Sequence, residues 1–225
     1  MASYTLSRLY GNWSGLANSD ESGRSNPGVS RAFDLPYYYF DATGSQKNVY
    51  GRLATDRPHE IKLFLNRDVV TKMGSTNFGI SQSAFSGSLD STSVIYLSAP
   101  TYPLGRGDLG RTPFLTQTDF AVSHTVKLSE RTSVRLEANA INVFNQATQI
   151  ARVSQINRAG AITEAALPLN TFFAGYDVKK FVFPANGGAS PYNPIYGLAG
   201  GNYRAGGGGA FQAPRDLRVG IRLLF

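Results

Sequence analysis

The stretch that most constrains this chain is PRDLRVGIRLLF, residues 214–225. In an extended backbone Leu217, Val219, Ile221, Leu223 and Phe225 fall on one face, and Asp216, Arg218, Gly220, Arg222 and Leu224 on the other. A period of two marks a strand with one apolar and one polar side. Such a comb of apolar side chains needs something to meet, either a protein core or lipid.

The same alternation recurs upstream. Phe120, Val122, His124, Val126 and Leu128 share a face in TQTDFAVSHTVKL. A turn at Ser129-Glu130-Arg131 follows, and then Val134, Leu136, Ala138 and Ala140 alternate with Arg135, Glu137 and Asn139. Two runs of this kind around a three-residue turn predict a β-hairpin. Ile61, Leu63 and Leu65 alternate after His59, and Phe78, Ile80 and Ala84 align within residues 76–87. A first strand, rich in Tyr, Thr and Leu, is expected over 2–14. Six strands are therefore expected, at 2–14, 57–66, 76–87, 115–128, 132–144 and 214–225.

The connections are unequal. Residues 15–56 and 145–213 are long, polar or Gly/Pro-punctuated loops, the second holding PANGGASPYNP and GLAGGNYRAGGGGAF. Long irregular stretches beside a three-residue turn suit an outer-membrane barrel, which has short turns at one rim and long loops at the other. Charged residues are only 16% of the chain, with 24 glycines and 12 tyrosines, which points away from a helical bundle. The expected fold class is all-β: antiparallel strands of a partial transmembrane barrel with long irregular outer loops, residues 1–225 forming one region. A soluble all-β domain is the alternative. The segment NRDVVTKMGS (66–75) departs from the pattern, which leaves the register there open.

Several function classes find little support. The net charge is +7, but Lys and Arg are dispersed and no basic run marks a nucleic-acid site. There is no cysteine, and no stretch approaches the ~20 apolar residues of a membrane helix. No signal peptide is visible at MASYTLSRLYGNW, so either the protein stays inside the cell or this is a piece of a longer precursor. GISQS (79–83) is not a nucleophile elbow, and His59 and His124 lie far apart. His124 shares its face with Val122 and Val126, where a packed or lipid-facing imidazole is expected rather than a catalytic one. No enzyme activity and no cofactor are expected. Asp20 and Glu21, in the acidic loop 18–22, form a weak calcium candidate. The loop aromatics Tyr37, Tyr38, Tyr39, Tyr192, Tyr196 and Tyr203 are candidates for ligand contact, since aromatic rings anchor interfaces.

Read together, SYTLSRLYGNWSGL (3–16), DRPHEIKL (56–63), YPLGRGDLGRTPFLTQTDFAVSHTVKL (102–128), RLEANAINVFNQ (135–146) and the final strand resemble segments of TonB-dependent outer-membrane receptors, in the same order. The similarity is greatest to Oar-like receptors bearing a carboxypeptidase-regulatory-like domain. It also accounts for Arg106-Gly107-Asp108, otherwise an adhesion tripeptide, as part of a family segment. The resemblance implies the C-terminal portion of a larger barrel in a bacterial outer membrane, serving uptake or surface binding of a bulky substrate. Outer-membrane lipid, the barrel assembly machinery and the rest of the barrel with its plug are the implied partners. Phe225, with Leu223 and Ile221, is implied to be the signal that assembly machinery reads. The rival readings are a soluble β-rich binding or adhesion module and, less favoured, an unrecognised hydrolase.

Overall fold

A computed structural model describes residues 1–11, 40–45, 50–97, 99–157, 162–178, 180, 192–199 and 210–225. Its strands are β1 (Ala2–Leu6), β2 (Tyr10–Gly11), β3 (Gly51–Arg52), β4 (His59–Thr71), β5 (Gly74–Phe85), β6 (Leu89–Asp90), β7 (Val94–Tyr96), β8 (Ala99–Thr101), β9 (Gly110–Arg111), β10 (Leu115–Lys127), β11 (Ser133–Ile141) and β12 (Asp216–Leu224). Among the described residues a short helix, α1 (Leu169–Ala174), lies between β11 and β12. The fold is all-β and antiparallel. Its main sheet has the order β1-β4-β5-β10-β11-β12, so each strand pairs with the next long strand in sequence.

The loop asymmetry is built into this meander. Thr71 pairs with Gly74, leaving only Lys72 and Met73 to connect β4 to β5. Gly74 is required there: its φ is +144°, and a Cβ would stand 2.2 Å from the Thr125 carbonyl oxygen. The β10–β11 turn closes through Leu128 N–H and Ser129 N–H, both donating to the Thr132 carbonyl. At the opposite rim lie the described parts of three long excursions, 7–58, 86–114 and 142–215.

Two expectations change. The segment 66–75 is regular after all, because β4 runs on to Thr71 in register with β5. Asn77 donates to both Asn66 and Asp68 at 2.6 Å, which fixes the polar side of the pairing. The expected strand 2–14 is instead broken after Leu6. There Ser7 bonds Pro58 O and Arg57 O, and Asp56 Oδ1 accepts the Leu9 N–H at 2.7 Å. A carboxylate thus replaces a ladder carbonyl, and the chain resumes only as β2; residues 12–14 lie outside the described ones.

The buried core is not beneath the sheet. Val94, Tyr96, Ile156, Ile162, Leu167, Phe172 and Val178 form it, all from the long excursions. Tyr96 stacks on Phe172 at 4.4 Å between centroids, and its hydroxyl donates to Leu167 O at 2.8 Å. The loops therefore pack into a cap with an interior of its own at one rim of the sheet.

Candidate functional site: two unlike faces and a loop cap

Strand register assembles the two faces from the alternation in the sequence. On the first, Val219 lies opposite Ala138, Ala138 opposite Val122, and Val122 opposite Phe78. Ile221, Leu136 and His124 form the next row, and Leu65, Ile80, Phe120, Ala140 and Leu217 another. This face is uncovered. Val219 is 87% exposed, Ile221 79%, Leu223 56% and Phe225 98%. A water-facing sheet would not carry an apolar row across five strands.

Polar side chains on this apolar face satisfy one another. The Thr76 hydroxyl and His124 Nδ1 are 2.8 Å apart, and the Tyr4 hydroxyl and His59 Nδ1 are 2.9 Å apart. Thr118 donates to Gln82 Oε1. Pairwise satisfaction is what a polar group needs where water is scarce. His124 thus has the apolar surroundings expected for it, with Thr76 as a partner that periodicity could not show. Arg67 also lies on this face, opposite Phe78 in the row that runs on through Val122 and Ala138 to Val219, and its long side chain can carry the guanidinium along the strand away from that row.

The second face is polar and ion-paired. Arg135 binds Glu137 at 3.1 Å and the Ser123 hydroxyl at 3.0 Å, Arg222 reaches Glu137 at 3.5 Å, and Arg218 holds Asp216 at 2.7 Å. Here the sheet is concave. A depression of about 380 Å³ lies over Gly79 and Ala121, bordered by Phe64, Ser81, Asn139 and Arg218.

The rim joining sheet to cap is fixed by buried polar groups. Asn142, with φ of +51°, is buried, accepts Gln146 N–H at 2.9 Å, and donates to the carbonyls of Gln146 and Ala213. Asn145, also left-handed, accepts Arg215 N–H at 3.1 Å. The Asn-Val-Phe-Asn motif therefore ends β11 and positions the start of β12. Nearby, the fully buried Asp56 carboxylate is ion-paired with Arg111, which also donates to the carbonyls of Asp56 and Gly87.

Of the expected ligand-contacting aromatics, Tyr192 and Tyr196 lie within the cap, edge to face at 6.1 Å. Tyr192 is about one-third exposed. The Tyr196 hydroxyl bonds Thr92, which in turn bonds Asp108, and burial raises the Tyr196 pKa above the ordinary phenol value. Tyr37, Tyr38, Tyr39 and Tyr203 lie outside the described residues, as do the calcium candidates Asp20 and Glu21. Among the described residues no three His, Asp or Glu side chains gather to hold a metal. In the Arg106-Gly107-Asp108 turn, Asp108 is occupied by the Thr92 N–H at 2.7 Å, and Gly107 N–H by Ser91 at 2.8 Å. That turn is scaffold.

The sequence reading missed an open depression of about 640 Å³ among the excursions. It is lined by Arg8, Tyr10, Tyr50, Arg52, Leu104 and Arg106 among others. These residues come from three separate segments and share no motif, so only the structure brings them together.

Comparison with known proteins gives one relative. The TonB-dependent transporter Oar of Myxococcus xanthus is 27% identical over 236 aligned residues, covering all of this chain. The chain spans 20% of that protein's length. No family model and no solved structure matches. The chain is thus distantly related to a TonB-dependent transporter.

Proposed function

We propose that this chain is a barrel segment of an Oar-like TonB-dependent outer-membrane receptor, from the region that closes the barrel. Its apolar face lies against lipid, its concave polar face lines the interior, and its cap faces outward. The observation that carries this reading is the uncovered apolar face, where Thr76 pairs with His124, Tyr4 with His59 and Thr118 with Gln82, while the buried core sits in the loops. At about 3.4 Å per residue and a tilt of ~40°, the strands of twelve and thirteen residues rise roughly 31 to 34 Å, enough for an apolar band of ~25 Å, and those of nine residues reach about 23 Å, just short of it.

The main sheet's outer strands, β1 and β12, do not pair with each other, and β1 covers β4 only as far as Leu63. Unpaired backbone is intolerable in hydrocarbon, so the remaining strands of a larger barrel complete both edges in this reading. Phe225 stands at the short-turn rim, at the end of an exposed comb with Leu223 and Ile221. That geometry suits recognition by strand pairing during assembly. The receptor would take up or bind a bulky substrate, with Tyr192 and Tyr196 on the side where it arrives.

Membrane fractionation of the natural host tests this. The gene product should pellet with outer membranes and resist extraction by carbonate or urea while yielding to detergent. A soluble monomer that unfolds cooperatively without detergent would end the membrane reading.

A further inference from the structure

The end of the polar face nearest the short turns plays no part in the reading above. Register sets Val70, Ser75, Thr125, Arg135 and Arg222 in one row across β4, β5, β10, β11 and β12. Lys127 and the turn residue Lys72 lie beyond that row, toward the rim. No acidic side chain stands in it. The carboxylates of the next row inward are engaged: Asp68 accepts from Asn77, and Glu137 serves both Arg135 and Arg222. The β10–β11 turn adds Glu130 and Arg131, which offset each other in charge. Lys72 and Lys127 are exposed and have no partner among the described residues. This end of the face is therefore cationic.

The two lysines border a hollow of about 300 Å³, lined also by Val70, Met73, Ser75 and Thr125. Its walls belong to the main sheet and to the turn joining β4 to β5. Val70 is 78% exposed and Met73 80%. Val70 points to the polar side, so lipid against the opposite face would leave it in water. The turn is braced. The Thr71 hydroxyl donates to Gly74 O at 3.1 Å and accepts the Met73 N–H at 3.3 Å. Exposed apolar side chains held between unpaired cations are the features of an interaction surface.

We propose that this hollow docks a peptide segment of a partner protein, an aliphatic side chain flanked by carboxylates. Val70 and Met73 cover the aliphatic group, while Lys72 and Lys127 meet the carboxylates. Charge complementarity selects an acidic segment over a basic one. The apolar pair selects a peptide over a bare phosphate, which would leave both side chains in water. Lipid headgroups would gather along the apolar face, on the other side of the sheet. The proposal rests on the side chains at this end of the sheet and needs no transport activity.

The test is fluorescence anisotropy of a dye-labelled decapeptide alternating glutamate with leucine. It is titrated with the purified natural gene product in zwitterionic nanodiscs, or in buffer if the protein proves soluble. Saturable binding is expected, weakening as salt rises. Lys72→Glu and Lys127→Glu should each weaken it by about tenfold, while Lys62→Glu, on the same face at the far end, should leave it unchanged. Both lysines are exposed, so either variant serves if the other fails to fold. A peptide with serine in place of leucine should bind several-fold more weakly. Three results would overturn the proposal: no saturable binding, equal weakening by Lys62→Glu and Lys72→Glu, or equal affinity for the serine peptide. Displacement of the peptide by phosphatidylglycerol added to the nanodiscs would also overturn it, assigning the lysines to lipid headgroups. Each of these can occur whether or not the membrane reading holds.

Discussion

Replacing Val219 by arginine separates lipid from water as the medium at the apolar face. Val219 sits near the middle of β12, opposite Ala138 and flanked on its own face by Leu217 and Ile221. It is 87% exposed, so in water the substitution would remove almost no packing and change stability by about 0.5 kcal/mol or less. In lipid an arginine at mid-depth costs about 2–4 kcal/mol. Converted at 1.4 kcal/mol per decade, that is roughly a 30- to 700-fold loss in the folding equilibrium. Gly220→Arg is the matched control: it points to the polar face opposite Glu137, and an added Cβ there has no neighbour within 4 Å. Guanidinium titration of the natural gene product refolded into lipid vesicles gives both values. Val219→Arg within 0.5 kcal/mol of the unmodified protein, or Gly220→Arg costing as much as Val219→Arg, would refute the reasoning.

Other consequences follow from pairs of side chains. Arg111→Ala leaves the buried Asp56 carboxylate without its cation and should destabilise the cap by about 3–5 kcal/mol, seen as faster proteolysis within residues 86–114 while the sheet's circular dichroism persists. Thr76→Val strands His124 Nδ1 on the apolar face and should cost about 1–3 kcal/mol in thermal or denaturant unfolding. The double change Thr76→Val/His124→Phe removes both partners and should recover most of that loss.

The long strands were legible because their two faces differ, so a period of two survives in the letters. Where a strand met a local exception the letters misled. Arg67 on the apolar face and Val70 on the polar one disrupt alternation, yet Asn77 across the ladder bridges Asn66 and Asp68 and the strand continues to Thr71. At the other extreme, Tyr10 and Gly11 read as a continuation of β1, but Asp56, distant in sequence, captures the Leu9 amide and ends the ladder. The cap core was not legible. Tyr96, Ile162 and Phe172 carry no shared period, and they meet only through contacts between separate loops. The open depression among the excursions left even less trace, since Arg8, Arg52 and Arg106 are single residues within unrelated stretches.

The chain has no cysteine, so a single cysteine introduced at each position from 217 to 223 carries the one spin label within it, and the unmodified natural gene product labelled in parallel gives the background. Accessibility of the labels in outer-membrane vesicles to oxygen, which concentrates in lipid, and to a water-soluble nickel chelate tests the central claim directly. The account predicts strict alternation: oxygen dominates at 217, 219, 221 and 223, and nickel at 218, 220 and 222. Equal access of the nickel chelate to labels on both faces would contradict it.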